Sequence, residues 1–318
     1  MRLGFSISGH RDSTSAVRAA AAAEAAGFDD VWLTEDYLER GAFALAGAVA
    51  AATSRVRIGI GVVNPWTRHP ALTAMEFASL DEISGGRAVL GLGASNEHWM
   101  SDQIGIPFRR PLARTLEAVA VVRQLLTGAH VTFHGEFFDI DTGLSFTPVR
   151  PDPPIVLGAK GPHAVARGGK LSDGLLLSIL AGPHYVRWVR EQVRPDLELS
   201  AYVGIAVDDD RATARDRIRP MVARFLGVHG DHVITRLAGI GPDVAASLRE
   251  GWRRGAPRTD LVTDELLDAV VAAGTVADAA RAFDRLKEAG LDVAVVRDDP
   301  AVDPDETLRV ADAVVRAR

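Results

Sequence analysis

The sequence predicts an α/β protein: a TIM-type (β/α)8 barrel with a hairpin after the fourth unit and a helical excursion before the last strand. Short apolar runs alternate with longer helical patterns, the runs are nearly continuous as in a buried parallel sheet, and eight of them occur. We expect a single domain over residues 1–318, with the excursion at about 211–271. A doubly wound open sheet is the alternative.

The first part of the chain supplies four strand–helix units. Ser13 is the expected N-cap of the first helix, and Gly27 is the residue expected to end it, because glycine readily adopts the left-handed conformation there. Strands are expected over Arg2–Ser8, Asp30–Thr34, Val56–Val62 and Ala88–Gly93, and helices over Ser13–Ala26, Gly41–Thr53, Pro70–Ile83 and Pro111–Leu126.

The regular alternation of strands and helices is then interrupted. The stretch from His130 to Ile140 predicts a β-hairpin that turns at His134-Gly135, and Arg211–Val271 is expected to be helical without a clear strand. The remaining strands are expected over Pro154–Gly158, Gly174–Ser178, Leu199–Val207 and Val293–Arg297, with helices from Pro162, from Pro183, over Val276–Ala289 and from Pro304.

Composition excludes several classes of function. The net charge is −6 and there is no sustained basic run, which argues against a nucleic-acid surface. The absence of cysteine excludes disulfides, thiolate catalysis and cysteine-ligated metals, and is typical of a reducing cytoplasm. No apolar run is long enough to cross a bilayer. We therefore expect a soluble, cytoplasmic protein that acts on a small molecule.

The loop after the third strand is the first functional signal. It contains Asn64, Trp66, Arg68 and His69 just past the strand's carboxyl end, where parallel α/β proteins bind ligands. The side chains that follow the predicted strand ends are Ser8, His10, Glu35, Asp36, Tyr37, Asn64, Trp66, His69, Ser95, Asn96, Glu97, His98, Lys160, Ser178 and Arg297.

Two of these groups have more than one interpretation. The carboxylates of Glu35 and Asp36 can share a proton or divide acid and base roles, or they can serve as a helix cap and a loop salt bridge. Gly91 and Gly93 resemble the start of a dinucleotide fingerprint, but the third glycine is missing. We expect these glycines to permit the close approach of a ring system.

The segment from Gly158 to Pro162 predicts a phosphate site. It lies between a strand and a helix whose first turn begins at Pro162, so free N–H groups and the helix dipole favour an anion, with Lys160 as added charge. A tight turn without a ligand is the alternative. His229 and His232 straddle Gly230 in the excursion, and we expect no metal there.

Several segments resemble one known family. The chain is similar to the bacterial-luciferase-like superfamily, and most closely to its deazaflavin-dependent branch, typified by methylenetetrahydromethanopterin reductase. The segments that carry the resemblance are AGFDDVWLTEDY, RIGIGVVNPWTRHPALTA, LDEISGGRAVLGLGA, PLARTLEAVAVVRQLLTG, PIVLGAKGP, SDGLLLS and, near the end, AARAFDRLKEAGLDVAVV.

The resemblance implies a homodimer of barrels that holds coenzyme F-420, or alternatively FMN, across the strand carboxyl ends. It implies a non-prolyl cis peptide at Gly61-Val62 beneath the ring, and the cofactor phosphate at the turn Lys160-Gly161-Pro162. The cofactor is then expected to contact Glu35, Asp36, Gly61, Val62, Asn64, Gly93, Ser95, Asn96, Gly158, Ala159, Lys160, Gly161 and Pro162.

The chain also departs from the family pattern. Relatives often carry Asp-His where this chain has Glu35-Asp36, and the methanopterin reductases carry carboxylates at positions that correspond to Ser6 and Asn96. These losses put a methanopterin substrate in doubt. The expected catalytic residues are Asp36 and Glu97, followed by His98, because a hydride transfer needs a positioned acid or base.

The expected function is therefore a coenzyme F-420-dependent oxidoreductase that transfers a hydride between the deazaflavin and an organic substrate. An FMN-dependent two-component monooxygenase and a non-catalytic flavin-binding barrel are the alternatives. The substrate does not follow from the sequence.

Overall fold

The computed structural model describes residues 1–36 and 38–297. Tyr37 and the helix expected from Pro304 lie outside the described residues. The strands are β1 (Arg2–Ile7), β2 (Asp30–Leu33), β3 (Arg57–Val63), β4 (Ala88–Leu92), β5 (Val131–His134), β6 (Asp139–Thr142), β7 (Ile155–Ala159), β8 (Gly174–Leu177), β9 (Glu198–Val203), β10 (Ile205–Val207), β11 (Ala272–Gly274) and β12 (Val293–Arg297).

The helices largely follow the expected alternation with the strands. They are α1 (Ser13–Ala25), α2 (Ala42–Ala52), α3 (Pro70–Ile83), α4 (Pro111–Leu126), α5 (Pro162–Leu171), α6 (Pro183–Arg190), α7 (Arg211–His229), α8 (Val233–Leu237), α9 (Pro242–Arg253), α10 (Asp264–Val270) and α11 (Val276–Glu288). A π-helical segment, His98–Gln103, and a 3₁₀ turn, Thr259–Leu261, complete the described elements. Within the described residues, no helix has the length and apolar character needed to cross a lipid bilayer.

Eight parallel strands close into a barrel, which confirms the predicted fold class and excludes the open sheet. The order around the barrel is β1-β12-β9-β8-β7-β4-β3-β2. The predicted hairpin is also confirmed: β5 pairs with β6 in antiparallel register, with residues 135–138 connecting them.

Two local expectations are wrong, and one short strand was not expected. The cap of α1 is Asp12 rather than Ser13, because the Asp12 carboxylate accepts a hydrogen bond of 2.9 Å from the Ser15 N–H. The strand expected over Leu199–Val207 is interrupted at Gly204, where the Met221 and Val271 side chains leave no room for a Cβ. Its second part, β10, pairs in parallel with β11, a short strand that the sequence analysis missed.

The chain divides into two compact units. Of the described residues, the amino-terminal unit contains those within 5–159 and 167–176, and the carboxy-terminal unit contains 1–4, 160–166 and 177–297. In the amino-terminal unit, Trp32 of β2 lies opposite Gly59 of β3, and its ring occupies the space that a side chain at position 59 would need. This close packing explains a glycine in the middle of a barrel strand.

The carboxy-terminal unit has an apolar core formed by the excursion helices. Buried residues of α7 pack with others from α9 and α10, among them Val222, Leu226, Leu248 and Leu267. Burial of this many apolar side chains stabilises the excursion and fixes where its polar residues lie.

Candidate functional site

The end of β3 has the backbone feature that the resemblance predicts. The Gly61-Val62 peptide bond is cis, and the pairing of β3 with β4 is irregular between Ile60 and Val63. A Cβ on Gly93 would lie 2.4 Å from Val62 Cγ2, and a Cβ on Gly158 would lie 3.2 Å from Val62 Cγ1. These glycines therefore make room for the half-buried Val62 side chain. The approach of a ring system, expected from the sequence, stays a prediction.

The polar loop after β3 is held by its own side chains. The buried Asn64 Oδ1 accepts hydrogen bonds from the backbone N–H groups of Trp66 (2.8 Å) and Thr67 (3.1 Å), and Asn64 Nδ2 donates to Thr67 Oγ1 at 3.0 Å. His69 caps α3, because its Nδ1 accepts from the Ala71 N–H at 3.2 Å. Most of this polarity thus serves the loop itself.

The carboxylates of Glu35 and Asp36 have different surroundings. Glu35 Oε2 accepts from the Ala42 N–H at 2.8 Å at the start of α2, and Glu35 Oε1 pairs with Arg68 Nη2 at 3.0 Å. Arg68 also pairs with Glu76. Glu35 is therefore the helix cap and salt bridge that the sequence left as an alternative. Among the described residues, nothing forms a hydrogen bond or ion pair with the half-buried Asp36 carboxylate.

The loop after β4 contains a second unpaired carboxylate. Asn96 Oδ1 accepts from the Trp99 N–H at 3.0 Å at the start of the π-helical segment. Glu97 is exposed and has no described partner, whereas His98 Nδ1 lies 3.0 Å from Asp102 Oδ2. Ser95 has a φ of 65°, in the left-handed region that non-glycine residues rarely adopt and that is frequent at functional sites.

Two buried hydroxyl groups at strand ends have no partner in the described part of the chain. They are Thr34 Oγ1, directly after β2, and Ser95 Oγ, after β4. A buried hydroxyl without a hydrogen bond is costly, so such groups point to a polar ligand. Ser95 was expected in the site. Thr34 was missed, although its place just before Glu35 was a usable signal.

In the carboxy-terminal unit, Lys160 lies in the turn between β7 and α5 and contacts a histidine of α7. Lys160 Nζ is 3.5 Å from His229 Nδ1, and His229 Nε2 is 2.9 Å from the Ile179 carbonyl oxygen. Because a carbonyl only accepts, Nε2 carries the proton and Nδ1 accepts from the ammonium. Burial and the Lys160 charge lower the pKa of His229 to about 3, so the ring is neutral at pH 7.

Basic groups from other elements lie near the same turn. His232 Nδ1 accepts from the Ile234 N–H at 3.4 Å, so its Nε2 bears the proton, and this atom would lie 3.4 Å from a Cβ on Gly161. Burial, and secondarily the charge of Arg249, lower the pKa of Lys160. No carboxylate of the described residues pairs with Lys160, and the first N–H groups of α5 have no intrahelical acceptor. A half-buried cation in such surroundings fits an anionic ligand.

The carboxy-terminal unit also contains Arg297, expected at a strand end. Its guanidinium lies over the Phe225 ring of α7, 4.9 Å from the ring centroid. His229 and His232 could not be connected with Lys160 from the sequence. No local pattern carries that signal, because His229 is separated from Lys160 by 69 positions.

Comparisons with known proteins identify relatives over most of the chain. The sequence profile of the luciferase-like monooxygenase family matches residues 1–293. A 5,10-methylenetetrahydromethanopterin reductase of Methanolobus tindarius is 33% identical over 282 residues, with 85% of each chain covered. A protein of Mycobacterium tuberculosis named as a coenzyme F-420-dependent oxidoreductase is 31% identical, covering 93% of this chain and 94% of the relative.

Solved structures show the same fold. The coenzyme F-420-dependent tetrahydromethanopterin reductase from Methanopyrus kandleri superposes with a TM-score of 0.86 at 24% identity, covering 98% of this chain and 97% of that chain. An F-420-dependent secondary alcohol dehydrogenase superposes with a TM-score of 0.78 at 23% identity, covering 98% of each chain.

Proposed function

Because the chain belongs to the luciferase-like monooxygenase family, we propose that it is a coenzyme F-420-dependent oxidoreductase that transfers a hydride between the deazaflavin and an organic substrate. The half-buried Lys160 ammonium, without a carboxylate partner in the described chain, carries the structural side of this proposal because it suits an anionic group such as a phosphate. Relatives named for F-420 favour the deazaflavin over FMN.

Each unit, taken by itself, contains residues that fit one part of such a cofactor. In the amino-terminal unit, the Ser95 hydroxyl, which has no partner among the described residues, and the half-buried Val62 side chain, for which Gly93 leaves room, suit a ring system with polar edges. In the carboxy-terminal unit, Lys160 and Gly161 suit its phosphate. Glu35 and Asn64 have a structural role instead, because their side-chain oxygens accept hydrogen bonds from nearby backbone N–H groups.

A bound deazaflavin supplies two-electron hydride chemistry, so the protein has to orient the substrate, exclude water and handle a proton. Asp36 and Glu97 are the proposed proton carriers, since each carboxylate lacks a described partner. His98 ranks behind them because Asp102 already pairs with its ring. Asp36 is the more sheltered of the two carboxylates, since it is half-buried and Glu97 is exposed.

The phosphate position is tested by placing a negative charge at Gly161. A carboxylate about 6 Å from a phosphate at an effective dielectric of about 20 costs roughly 3 kcal/mol, so Gly161→Asp should weaken F-420 binding on the order of 100-fold. Gly161→Ala is the matched control, because its Cβ would make only ordinary contact with His232. Equal F-420 affinities for the two variants would place the phosphate elsewhere.

The assembly proposed for the enzyme is a homodimer. Leu72, Met75 and Ile83 lie on one face of α3 and are 50%, 43% and 57% exposed, which supports an interface with a second copy of this chain. Met75→Glu should shift the protein to a monomer in light scattering. Val244→Glu, a charge at an exposed apolar residue of α9, should leave the mass unchanged; a dimer in both variants would refute this interface.

We also propose a cytoplasmic location, which the absence of cysteine supports. The catalytic proposal is tested by anaerobic turnover of F-420 with a panel of alcohols, imines and activated alkenes, followed by the deazaflavin absorbance. Turnover without oxygen supports hydride transfer. A strict requirement for reduced FMN and oxygen would instead identify the monooxygenase, and binding without any turnover would identify the non-catalytic barrel.

A further inference from the structure

We infer that His229 is a positioning residue for cofactor binding: its neutral ring holds the Lys160 ammonium in place for the phosphate. The inference rests on the proposed function and deepens it, because it assigns a role to a histidine from a distant helix. The ring bridges the Ile179 carbonyl and Lys160 Nζ, at 2.9 Å and 3.5 Å.

A lysine side chain needs such a partner here because its stem is flexible. Fixing a lysine costs up to about 2 kcal/mol of conformational entropy, and this cost falls on ligand binding unless the side chain is already held. The Lys160 carbonyl is also anchored, since it accepts from the Tyr185 hydroxyl at 2.6 Å. Both ends of the residue are thus held before any anion arrives.

A neutral acceptor suits this task better than a carboxylate. An aspartate or glutamate would form an ion pair with the ammonium and compete with the phosphate for its charge. A neutral imidazole nitrogen accepts one N–H and leaves the full positive charge and two further donors of the ammonium for the ligand. Protonation of His229 would remove this acceptor, and its burial opposes protonation.

Two substitutions separate this role from a purely structural one. His229→Asn retains an acceptor near the Nδ1 position and loses the donor to Ile179. His229→Gln retains a donor near the Nε2 position and loses the acceptor for Lys160. A residue that only anchors the Ile179 carbonyl should therefore tolerate glutamine better, whereas one that positions Lys160 should tolerate asparagine better.

The measurement is equilibrium binding of F-420 and of its phosphate-free deazaflavin core, followed by fluorescence, with circular dichroism to verify folding. We expect His229→Gln to weaken F-420 binding by about tenfold, the loss of one charge-assisted hydrogen bond, and to leave binding of the core unchanged. His229→Asn should remain within about threefold of wild type. In a Lys160→Met background, His229→Gln should add nothing, because the residue it positions is gone.

Several results would overturn the inference. They are an unchanged ratio of F-420 to core affinity in His229→Gln, a larger loss in His229→Asn than in His229→Gln, or an additive loss in the Lys160→Met background. If the wild type bound neither F-420 nor the core, the proposed function would fail. The same variants would then be compared by thermal shift with inorganic phosphate, where the same order supports the positioning role and equal shifts refute it.

Discussion

Burial of His229 makes the free energy of unfolding depend on pH below neutrality. The pKa of this histidine is about 3 in the folded protein, chiefly because burial disfavours the charged ring, against 6.5 for an unperturbed histidine. Between these values the unfolded chain binds the proton and the folded chain does not. The titration of His229 therefore does not change the free energy of unfolding above about pH 6.5, and it lowers this free energy progressively as the pH falls from there toward 3.

The size of this change in the free energy of unfolding follows from the interval between the two pKa values of His229. Each pH unit inside it changes the contribution of His229 by about 1.4 kcal/mol, so the change from pH 6.5 to pH 5 costs about 2 kcal/mol. The charged and titratable groups facing the ring are Lys160 and His232, and burial also lowers the pKa of His232, to about 4. These groups are retained in His229→Asn, so the difference between the two proteins isolates His229.

The assay is urea unfolding of wild type and His229→Asn at pH 7 and pH 5, followed by circular dichroism. We expect the wild type to lose about 2 kcal/mol more than the variant over this interval. An equal loss in both proteins would mean that His229 titrates normally in the fold. The bridge from Lys160 to the Ile179 carbonyl would then be wrong.

The remaining predictions concern the amino-terminal unit. Gly93→Ala should destabilise the protein by about 1–3 kcal/mol in chemical denaturation, because its Cβ would overlap Val62, and Val62→Ala in the same chain should restore most of the loss. Gly47→Ala, at an open position of α2, is the control and should be neutral or stabilising by up to about 1 kcal/mol. Asp36→Asn or Glu97→Gln should lower turnover by about 10²- to 10⁴-fold while F-420 still binds. Near-wild-type turnover in both variants would mean that water or the substrate supplies the proton.

Features with a local cause could be predicted from the sequence. Buried parallel strands are apolar throughout, so the barrel strands begin where they were expected or one residue away, as in β3 and β7. The turn before α5 was predicted because Gly158 and Pro162 bracket a strand-to-helix connection, with Lys160 between them. A helix-capping role for Glu35 could also be foreseen as an alternative, because its partner Ala42 is nearby in the chain.

Features that depend on distant contacts could not be predicted in this way. The contact that requires a glycine at position 93 is with Val62 of the neighbouring strand, and no local pattern indicates that contact. His229 reaches Lys160 only because the excursion helices pack into their own apolar core, and helical periodicity predicts the helices without their placement. The π-helical segment after Glu97 has no simple sequence signature.

The central claim is that this chain uses a deazaflavin. The most direct measurement is a side-by-side equilibrium titration of the purified protein with coenzyme F-420 and with FMN, repeated on Lys160→Met. We expect F-420 to bind at least about tenfold more tightly than FMN, a difference of about 1.4 kcal/mol, and Lys160→Met to weaken F-420 binding. Equal or tighter binding of FMN, or F-420 affinity that does not depend on Lys160, would contradict it.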